Sequence, residues 1–284
     1  MRVITVMVAV AIPLLHAGCA DSGPTVPATA GHDDLEDRLA AAAPAVTVAC
    51  GSTVTTDLTL ESDLSCPGDA FTVTGSNLKI NLNGHTVAGA GVGVGIRVNS
   101  GQGISIYDGT VRGFLQGIFL AASTGIEIKD NEFTENGTAV LLQASSGNTI
   151  KDNVARTNGF RAFMIRPNLA GVVSTNNDVV GNLLIDNPTG IFLINQPGNT
   201  IKGNTIAGSS VAAIDLASGG GSGNVIKGNL LTTSAAGIRF GTGWTDNTIL
   251  GNTIQTYSCG IQGPSDGNTI QGNILSGNTV DFCP

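Results

Sequence analysis

Residues 198–206 read GNTIKGNTI, residues 223–231 read GNVIKGNLL and residues 246–254 read DNTILGNTI. Each stretch places an aliphatic residue, an asparagine three positions later and another aliphatic two positions after that, as in Ile201, Asn204 and Ile206. Apolar and polar positions alternate with a period of two, which is typical of strands that bury one face. A unit that recurs in this way predicts a repeat architecture.

The unit extends toward both ends of the chain. The asparagine position is occupied in turn by His85, Gly109, Asn131, Asn153, Asn182, Asn204, Asn229, Asn252 and Asn273. A second apolar motif, such as Gly190-Ile191-Phe192-Leu193, follows eight to ten residues after each marker. Because His85 stands in the asparagine column, we interpret it as a structural turn residue.

Stacking of these units is the physical solution that the repeat favours. One repeat alone cannot bury its inward residues, whereas parallel strands about 4.8 Å apart place each aliphatic residue on the next. The sequence therefore predicts an all-β parallel β-helix, a solenoid of about nine coils of 21–29 residues that spans residues 46–284. The asparagine column predicts a ladder of side-chain amides.

The composition agrees with a thin, turn-rich core. Glycine contributes 40 residues, aromatic residues only 4% and charged residues only 12%. The formal net charge of -8 argues against a nucleic acid partner, because phosphate binding needs clustered lysine and arginine.

The N-terminus indicates export. Arg2 precedes an apolar run over residues 3–15 that is too short to span a bilayer, so residues 1–20 are predicted to be a signal peptide. Leu15-His16-Ala17-Gly18-Cys19 resembles a bacterial lipoprotein signal, although His16 replaces an aliphatic residue. Lipidation of Cys19 and plain cleavage near Ala20 both stay open. Residues 21–45 are predicted to be a linker, and the mature chain to be secreted or held in the cell envelope, with a lipid anchor as its one membrane contact.

Four further cysteines lie in pairs at the two ends of the repeats. In an exported chain we expect the local disulfides Cys50 with Cys66 and Cys259 with Cys283. Loops of this length stabilise a fold by about 3 kcal/mol each in the chain-entropy description.

Three segments carry a resemblance to a known group. Asn81-Leu82-Asn83-Gly84-His85-Thr86, Asp108-Gly109-Thr110-Val111-Arg112-Gly113-Phe114 and the repeated Gly-Asn-Thr-Ile resemble bacterial right-handed parallel β-helix proteins of the NosD-like and pectate-lyase-like type. The resemblance implies a right-handed coil. It leaves function open, since relatives with this fold include pectate and alginate lyases, mannuronan epimerases, tailspikes and periplasmic NosD proteins.

Any site must use outward positions, because the core occupies the inward ones. The outward residue of the second motif predicts a column along the helix axis: Arg97, Phe119, Leu141, Met164, Phe192, Asp215, Arg239 and Gln262. Its apolar middle indicates either a binding surface or a surface that the N-terminal linker or a loop covers. We expect Arg97, Phe119, Arg161, Met164 and Phe192 to bind substrate, and a loop around residues 166–174 to project beside them.

The charged residues near this column admit three functions. Arg166, Asp215 and Arg239 are the candidate catalytic residues for a lyase or epimerase of acidic polysaccharide, which needs a cation for the uronate and a base. The alternatives are a non-catalytic protein that binds glycan or protein, and a NosD-like assembly factor. A merely solvated charged rim is the competing structural interpretation.

Metal sites receive little support. The acidic group Glu127, Asp130, Glu132, Glu135 and Asp152 admits Ca²⁺ but lacks a calcium-loop pattern. Copper prefers histidine, methionine and cysteine ligands, which are scarce in the mature chain. No cofactor is predicted.

Overall fold

The computed structural model describes residues 48–264 and 266–284. These residues form 27 strands, and no α-helix occurs among them. Accordingly, the described ranges hold no helix with the length and apolarity of a membrane span. The predicted signal peptide, the linker and Cys19 lie outside the described residues.

The strands are short and follow one another around each coil. The first nine are β1 (Ser52–Val54), β2 (Leu58–Thr59), β3 (Leu64–Ser65), β4 (Phe71–Val73), β5 (Lys79–Asn81), β6 (Thr86–Ala88), β7 (Val94–Asn99), β8 (Ser105–Arg112) and β9 (Gln116–Ala121). The next nine are β10 (Glu127–Thr134), β11 (Thr138–Gln143), β12 (Thr149–Lys151), β13 (Val154–Arg156), β14 (Arg161–Arg166), β15 (Asp178–Val180), β16 (Leu183–Ile185), β17 (Thr189–Ile194) and β18 (Thr200–Lys202). The last nine are β19 (Thr205–Ala207), β20 (Ala212–Ala217), β21 (Val225–Lys227), β22 (Leu230–Phe240), β23 (Thr248–Leu250), β24 (Thr253–Gln262), β25 (Thr269–Gln271), β26 (Ile274–Ser276) and β27 (Val280–Cys283).

Every strand pairs in parallel with strands one coil before or after it, which gives three faces. Face 1 contains the column Ile80, Ile106, Ile128 and Ile150. Face 2 contains the column Val87, Val111, Phe133 and Ala155. Face 3 contains the column Ile96, Ile118, Val140 and Phe163. The chain is a right-handed parallel β-helix of about ten turns, as the repeat and the resemblance predict.

The core is the set of inward columns from the three faces. Ile201 and Ile226 stack directly, as expected, and both are fully buried. Each fully buried aliphatic side chain contributes roughly 1.5–3 kcal/mol. Because each coil contributes only a few such residues, the fold depends on the stacking of many coils.

Asparagine ladders line all three corners between the faces, whereas the repeated marker in the sequence predicts only the first. The corner between faces 1 and 2 carries the predicted ladder from Asn131 onward. The corner between faces 2 and 3 carries Asn136, Asn158 and Asn187, and the corner between faces 3 and 1 carries Asn148, Asn177, Asn199, Asn224 and Asn247. In each ladder the backbone N–H of one asparagine donates to the side-chain oxygen of the asparagine one coil later.

His85 is a turn residue, as predicted, since its backbone N–H donates to the carbonyl oxygen of Leu82 at 2.8 Å, but its side chain does not fill the corner. Leu82, which is fully buried, fills the corner next to Gly109, where an added Cβ would lie 2.3 Å from the Cβ of Leu82. His85 contacts Asp63 instead, at 3.3 Å between Nδ1 and Oδ1. The register pairs Ile80 with Ile106, so Leu82 lies beyond the strand and can enter the corner. The turn before β6 is longer than the corresponding turn one coil later, which lets Leu82 fill the corner instead of His85. The solenoid has about ten turns instead of nine because an earlier coil begins at β1.

Two disulfides close the end coils as expected. Cys50 bonds to Cys66 with a Cα–Cα distance of 5.5 Å, and Cys259 bonds to Cys283 with a Cα–Cα distance of 6.1 Å. Each joins residues in neighbouring coils or strands at an end of the solenoid, where fewer stacked neighbours hold the chain.

Candidate functional site

The predicted outward column runs along face 3 in an unbroken register. The strand pairings align Arg97 with Phe119, and the alignment continues through Leu141, Met164, Phe192, Asp215, Arg239 and Gln262. Its members differ in exposure: the Leu141 side chain is buried, whereas Phe119, Met164 and Phe192 are half-buried. The structure therefore confirms the column, and it places the accessible aromatic surface at two separate points along it.

Each accessible phenylalanine of the outward column carries an arginine over its ring. The guanidinium carbon of Arg97 lies 5.2 Å from the ring centre of Phe119, and that of Arg161 lies 4.1 Å from the ring centre of Phe192. Such stacking contributes about 0.5–2 kcal/mol and fixes the plane of the guanidinium group. The two arginines differ in their charge partners, since Arg97 also contacts Asp69 at 3.4 Å.

Asp215 and Arg239 form a two-point ion pair next to Phe192. The Nε atom of Arg239 donates to Oδ1 of Asp215 at 3.0 Å, and Nη2 donates to Oδ2. The Asp215 side chain is only 2% exposed, whereas that of Arg239 is 39% exposed. These hydrogen bonds raise the pKa of Arg239. Since both carboxylate oxygens accept from Arg239, Asp215 holds the guanidinium group and is not free to accept a substrate proton.

Two clefts meet at this ion pair. The first has a volume of about 260 Å³, and its walls include Phe160, Arg161, Phe192, Val211, Asp215 and Arg239. The second has a volume of about 320 Å³, and its walls include Phe192, Asp215, Ser218, Arg239 and Gly241. Because they share Phe192, Asp215 and Arg239, the two clefts adjoin along the strand direction. We refer to the first as the Arg161 cleft.

Arg161 carries an unneutralised charge into its cleft. Burial lowers the pKa of its guanidinium group; the nearby Asp215 carboxylate opposes this effect, and the like charge of Arg166 adds to it. Within residues 48–264 and 266–284, no carboxylate lies within ion-pair distance of Arg161, and its buried Nε atom has no hydrogen-bond acceptor. A half-buried cation without a partner is costly, which favours the binding of an anion here.

The structure brings together only some of the predicted site residues. Arg161, Phe192, Asp215 and Arg239 share the Arg161 cleft. Met164 lies one coil before Phe192, and Arg166 ends the same strand as Arg161. Arg97 and Phe119 lie several coils away at the other end of the column. The expected projecting loop connects β14 and β15, but its residues line neither cleft.

The apolar rim of the cleft was not predicted from the sequence. Phe160 is 57% exposed, and Val211 also lies exposed at the start of its face 3 strand. Leu115 belongs to the same outer row, because both Leu115 and Phe160 approach the backbone at Gly137. The signal was present in the sequence, since an apolar residue stands immediately before β9, β14 and β20.

Three of the acidic residues considered for Ca²⁺ form ion pairs with basic residues. Glu127 contacts Lys129 at 3.1 Å and Lys151 at 2.7 Å. Glu132 pairs with Arg156 and Glu135 with Arg112. The described residues contain no cluster of three or more histidine, cysteine or acidic side chains arranged to hold a metal ion.

Comparison with solved structures identifies proteins of the same fold. The chain is similar to an alginate lyase from Paenibacillus sp., with 15% identity, a TM-score of 0.62, and coverage of 83% of this chain and 97% of that chain. It is similar to the Dettilon tailspike protein, with 18% identity, a TM-score of 0.59 and coverage of 80% of this chain, but it spans only 60% of the tailspike chain. It is also similar to the A-module of the mannuronan C-5 epimerase AlgE6 from Azotobacter vinelandii, with 14% identity, a TM-score of 0.53, and coverage of 80% and 79% of the two chains.

Sequence comparison adds one family. The profile described as "Periplasmic copper-binding protein (NosD)" matches residues 72–254 and 166–283, which together cover most of the β-helix. No curated protein sequence matches the chain.

Proposed function

Because the chain belongs to the NosD family of β-helix proteins, we propose that it is an extracytoplasmic protein that binds acidic polysaccharide in the Arg161 cleft. The observation that carries this proposal is the guanidinium group of Arg161, which stacks on Phe192 and has no carboxylate partner among the described residues. An uronate carboxylate would supply the missing charge and accept the unused N–H groups.

The walls of the cleft suit a sugar as well as an anion. Phe160, Phe192 and Val211 offer apolar surface to the C–H face of a pyranose ring, while Arg161 and Arg239 offer N–H donors to its oxygens. On a chain with a formal net charge of -8, a cleft with two arginines and one neutralised carboxylate is a local positive site. This contrast supports a specific anionic ligand rather than general attraction to polyanions.

Two features support the extracytoplasmic location. The end coils contain disulfides, which persist in oxidising compartments. The family description is periplasmic. The signal peptide and the lipidation of Cys19 remain predictions.

Copper does not fit the described residues, although the family description names it. His85 and Met164 are the one imidazole and the one thioether in the described ranges, and they lie on different elements. The cysteines of these ranges are in disulfides, so they have no thiolate to offer. A NosD-like role in assembly would therefore not proceed through copper ligands of this β-helix.

Catalysis is the second candidate. Lyases and epimerases of uronates begin by removing the proton next to a carboxylate that the enzyme has neutralised. Arg161 favours this chemistry in one respect, since it lies in the cleft with no carboxylate partner among the described residues. Arg166 would then neutralise the uronate, and Asp215 would hold Arg239 in place to donate hydrogen bonds to it.

Binding to a panel of polymers tests the proposal. We expect the mature chain to bind alginate or polygalacturonate in isothermal titration and to ignore neutral dextran. Arg161→Gln should lower the affinity about ten-fold or more, because it removes a charge-assisted contact. Phe192→Ala should lower it as well, since the ring orients Arg161.

Arg112→Gln provides the matched control, because Arg112 is exposed, ends β8 and pairs with Glu135. It should leave the affinity unchanged. Ultraviolet absorbance of unsaturated products, measured in the same samples, separates binding from lyase activity. Equal binding of wild type and Arg161→Gln, with both folded, would refute the proposed site.

A further inference from the structure

We propose that Arg161 and Arg166 form a two-anion site that one polymer chain bridges, so that the glycan lies along β14 and across the helix axis. This inference rests on the proposed function and adds the path and the minimum length of the ligand. It differs from the simplest expectation, in which the glycan follows the outward column along the axis.

The charge partners of the arginines single out these two. Arg97, Arg112, Arg156 and Arg239 each contact a carboxylate. In the part of the chain that the structure describes, Arg161 and Arg166 have no such contact, and the buried Nε atom of each has no acceptor. Two unpaired guanidinium groups on one strand are an arrangement that the ion pairs of the fold do not explain.

Their positions on β14 define the direction of the ligand. Ala162, Phe163 and Ile165 are buried, whereas Arg161, Met164 and Arg166 have partly exposed side chains. A strand rises about 3.3 Å per residue, so the two arginine backbones lie roughly 17 Å apart. That span exceeds one sugar unit, and Met164 provides an apolar contact between the two charges.

The like charges of Arg161 and Arg166 make the site unfavourable in free energy when no anion is bound. Arg161 and Arg166 carry like charges on one strand, and the charge of Arg166 adds to the lowering of the pKa of Arg161. A ligand with two carboxylates removes both the repulsion and the unsatisfied donors. A ligand with one carboxylate can relieve only one end.

The axial path is less suited to an anion. Toward the N-terminal end of the column, Leu141 is buried, Phe119 lies beneath Arg97, and Asp69 already neutralises Arg97. Across the axis, the partly exposed side chain of Met164 on β14 leaves surface open to a ligand between Arg161 and Arg166.

Chain-length dependence tests this inference. Isothermal titration would compare galacturonic acid with its oligomers from the disaccharide to the octasaccharide, on the full mature chain. We expect the affinity of the wild type to rise by about ten-fold or more once the oligomer bridges both arginines, and then to level off. Arg166→Gln should abolish that rise while short oligomers bind as before. Arg161→Gln should weaken binding at every length at which it is measurable.

Arg97→Gln tests the axial path, and Arg112→Gln is the control for loss of one arginine. Both should keep the wild-type length dependence. If Arg97→Gln removes the rise and Arg166→Gln does not, the crosswise path is wrong, although the proposed binding function stands. If no oligomer or polymer binds to the folded wild type, the proposed function itself fails. Thermal unfolding of each variant verifies that it remains folded.

Discussion

The coils before Asn131 and the coils after it close the same corners with different chemistry. In the early coils the corners hold apolar side chains, including Leu60, Leu82 and Phe114, all of them buried. In the later coils they hold buried asparagines. We call the first part the apolar-corner region and the second the ladder region.

The change occurs at all three corners within one coil. Gly109, Phe114 and Ile126 are followed, one coil later, by Asn131, Asn136 and Asn148. The backbone N–H of Phe114 already donates to Oδ1 of Asn136, and that of Ile126 to Oδ1 of Asn148. The last apolar residues therefore use the first asparagines as acceptors without extending the ladder.

The difference shows how the orientation of the corner side chains is fixed along the stacked coils. Apolar corners gain free energy from area removed from water, which does not depend on orientation. An asparagine ladder requires each amide to point at the next, since a buried donor or acceptor without a partner costs about 1–3 kcal/mol. The strands of the Arg161 cleft, β14, β17, β20 and β22, all belong to the ladder region. We infer that the ladders hold the outward side chains of these coils in a fixed register.

Asn182→Leu provides the strongest test of this contrast. The side-chain oxygen of Asn182 accepts from the backbone and side-chain nitrogens of Asn153, and its side-chain nitrogen donates to Oδ1 of Asn204. We expect the free energy of unfolding in urea to fall by about 3–5 kcal/mol, because several buried polar groups lose partners at once. If a leucine is tolerated there as it is at position 82, the two regions do not differ in the way described.

Phe114→Ala and Phe114→Asn test the boundary itself. The ring of Phe114 is buried, so its removal should lower the free energy of unfolding by about 3–4 kcal/mol through loss of packing and a residual cavity. Phe114→Asn should cost about 1 kcal/mol less than Phe114→Ala, since the amide can donate to Oδ1 of Asn136 in the manner of a ladder member. Equal unfolding midpoints for the two variants would show that the ladder cannot be extended by this residue.

Replacement of Glu127, which lies at the junction of the two regions, is expected to have the smallest effect on stability. Its carboxylate accepts from Ser105 in the preceding coil and contacts Lys151 in the following coil. The hydrogen bond from Lys151, more than the one from Lys129, lowers the pKa of Glu127 below its ordinary value of 4.5. A carboxylate with a lowered pKa stabilises the fold above that ordinary value and loses its contribution as the pH falls through the pKa of the folded state.

The consequence is a small, pH-dependent loss in Glu127→Gln. We expect its thermal midpoint to lie slightly below that of the wild type at pH 7, and the gap to close on acidification below about pH 4. Ser105→Ala, which keeps the lysine contacts, should retain most of the wild-type pH dependence. A gap that persists unchanged at low pH would show that packing, not charge, accounts for the loss.

The parts of the fold that the sequence predicts are those in which each coil repeats the last. Ile201 and Ile226 stack because the repeat aligns them, and the same alignment gives the outward column from Arg97 to Gln262. The prediction was incomplete where a turn changed length. His85 lies in the turn as predicted, but Leu82 fills the corner, because a repeat cannot say which side chain of a longer turn will enter it.

The site was predictable only in part for a similar reason. The column places Phe192 beside Asp215 and Arg239, since these residues share one register position. It cannot place Arg161 over Phe192, because these residues belong to different columns and meet through the reach of a long side chain. Nor does it show that Arg239 occupies both oxygens of Asp215 and leaves Arg161 without a partner.

By itself the sequence determined the coil, its stacking and the ends that the disulfides close, because a period of two combined with a step of 21–29 residues leaves few other ways to bury the aliphatic positions. Only the tertiary structure decided which charges neutralise each other and which remain free. Ion pairing depends on distances of a few ångströms between side chains on different coils, and strand register fixes the backbones but not the heads of arginine side chains.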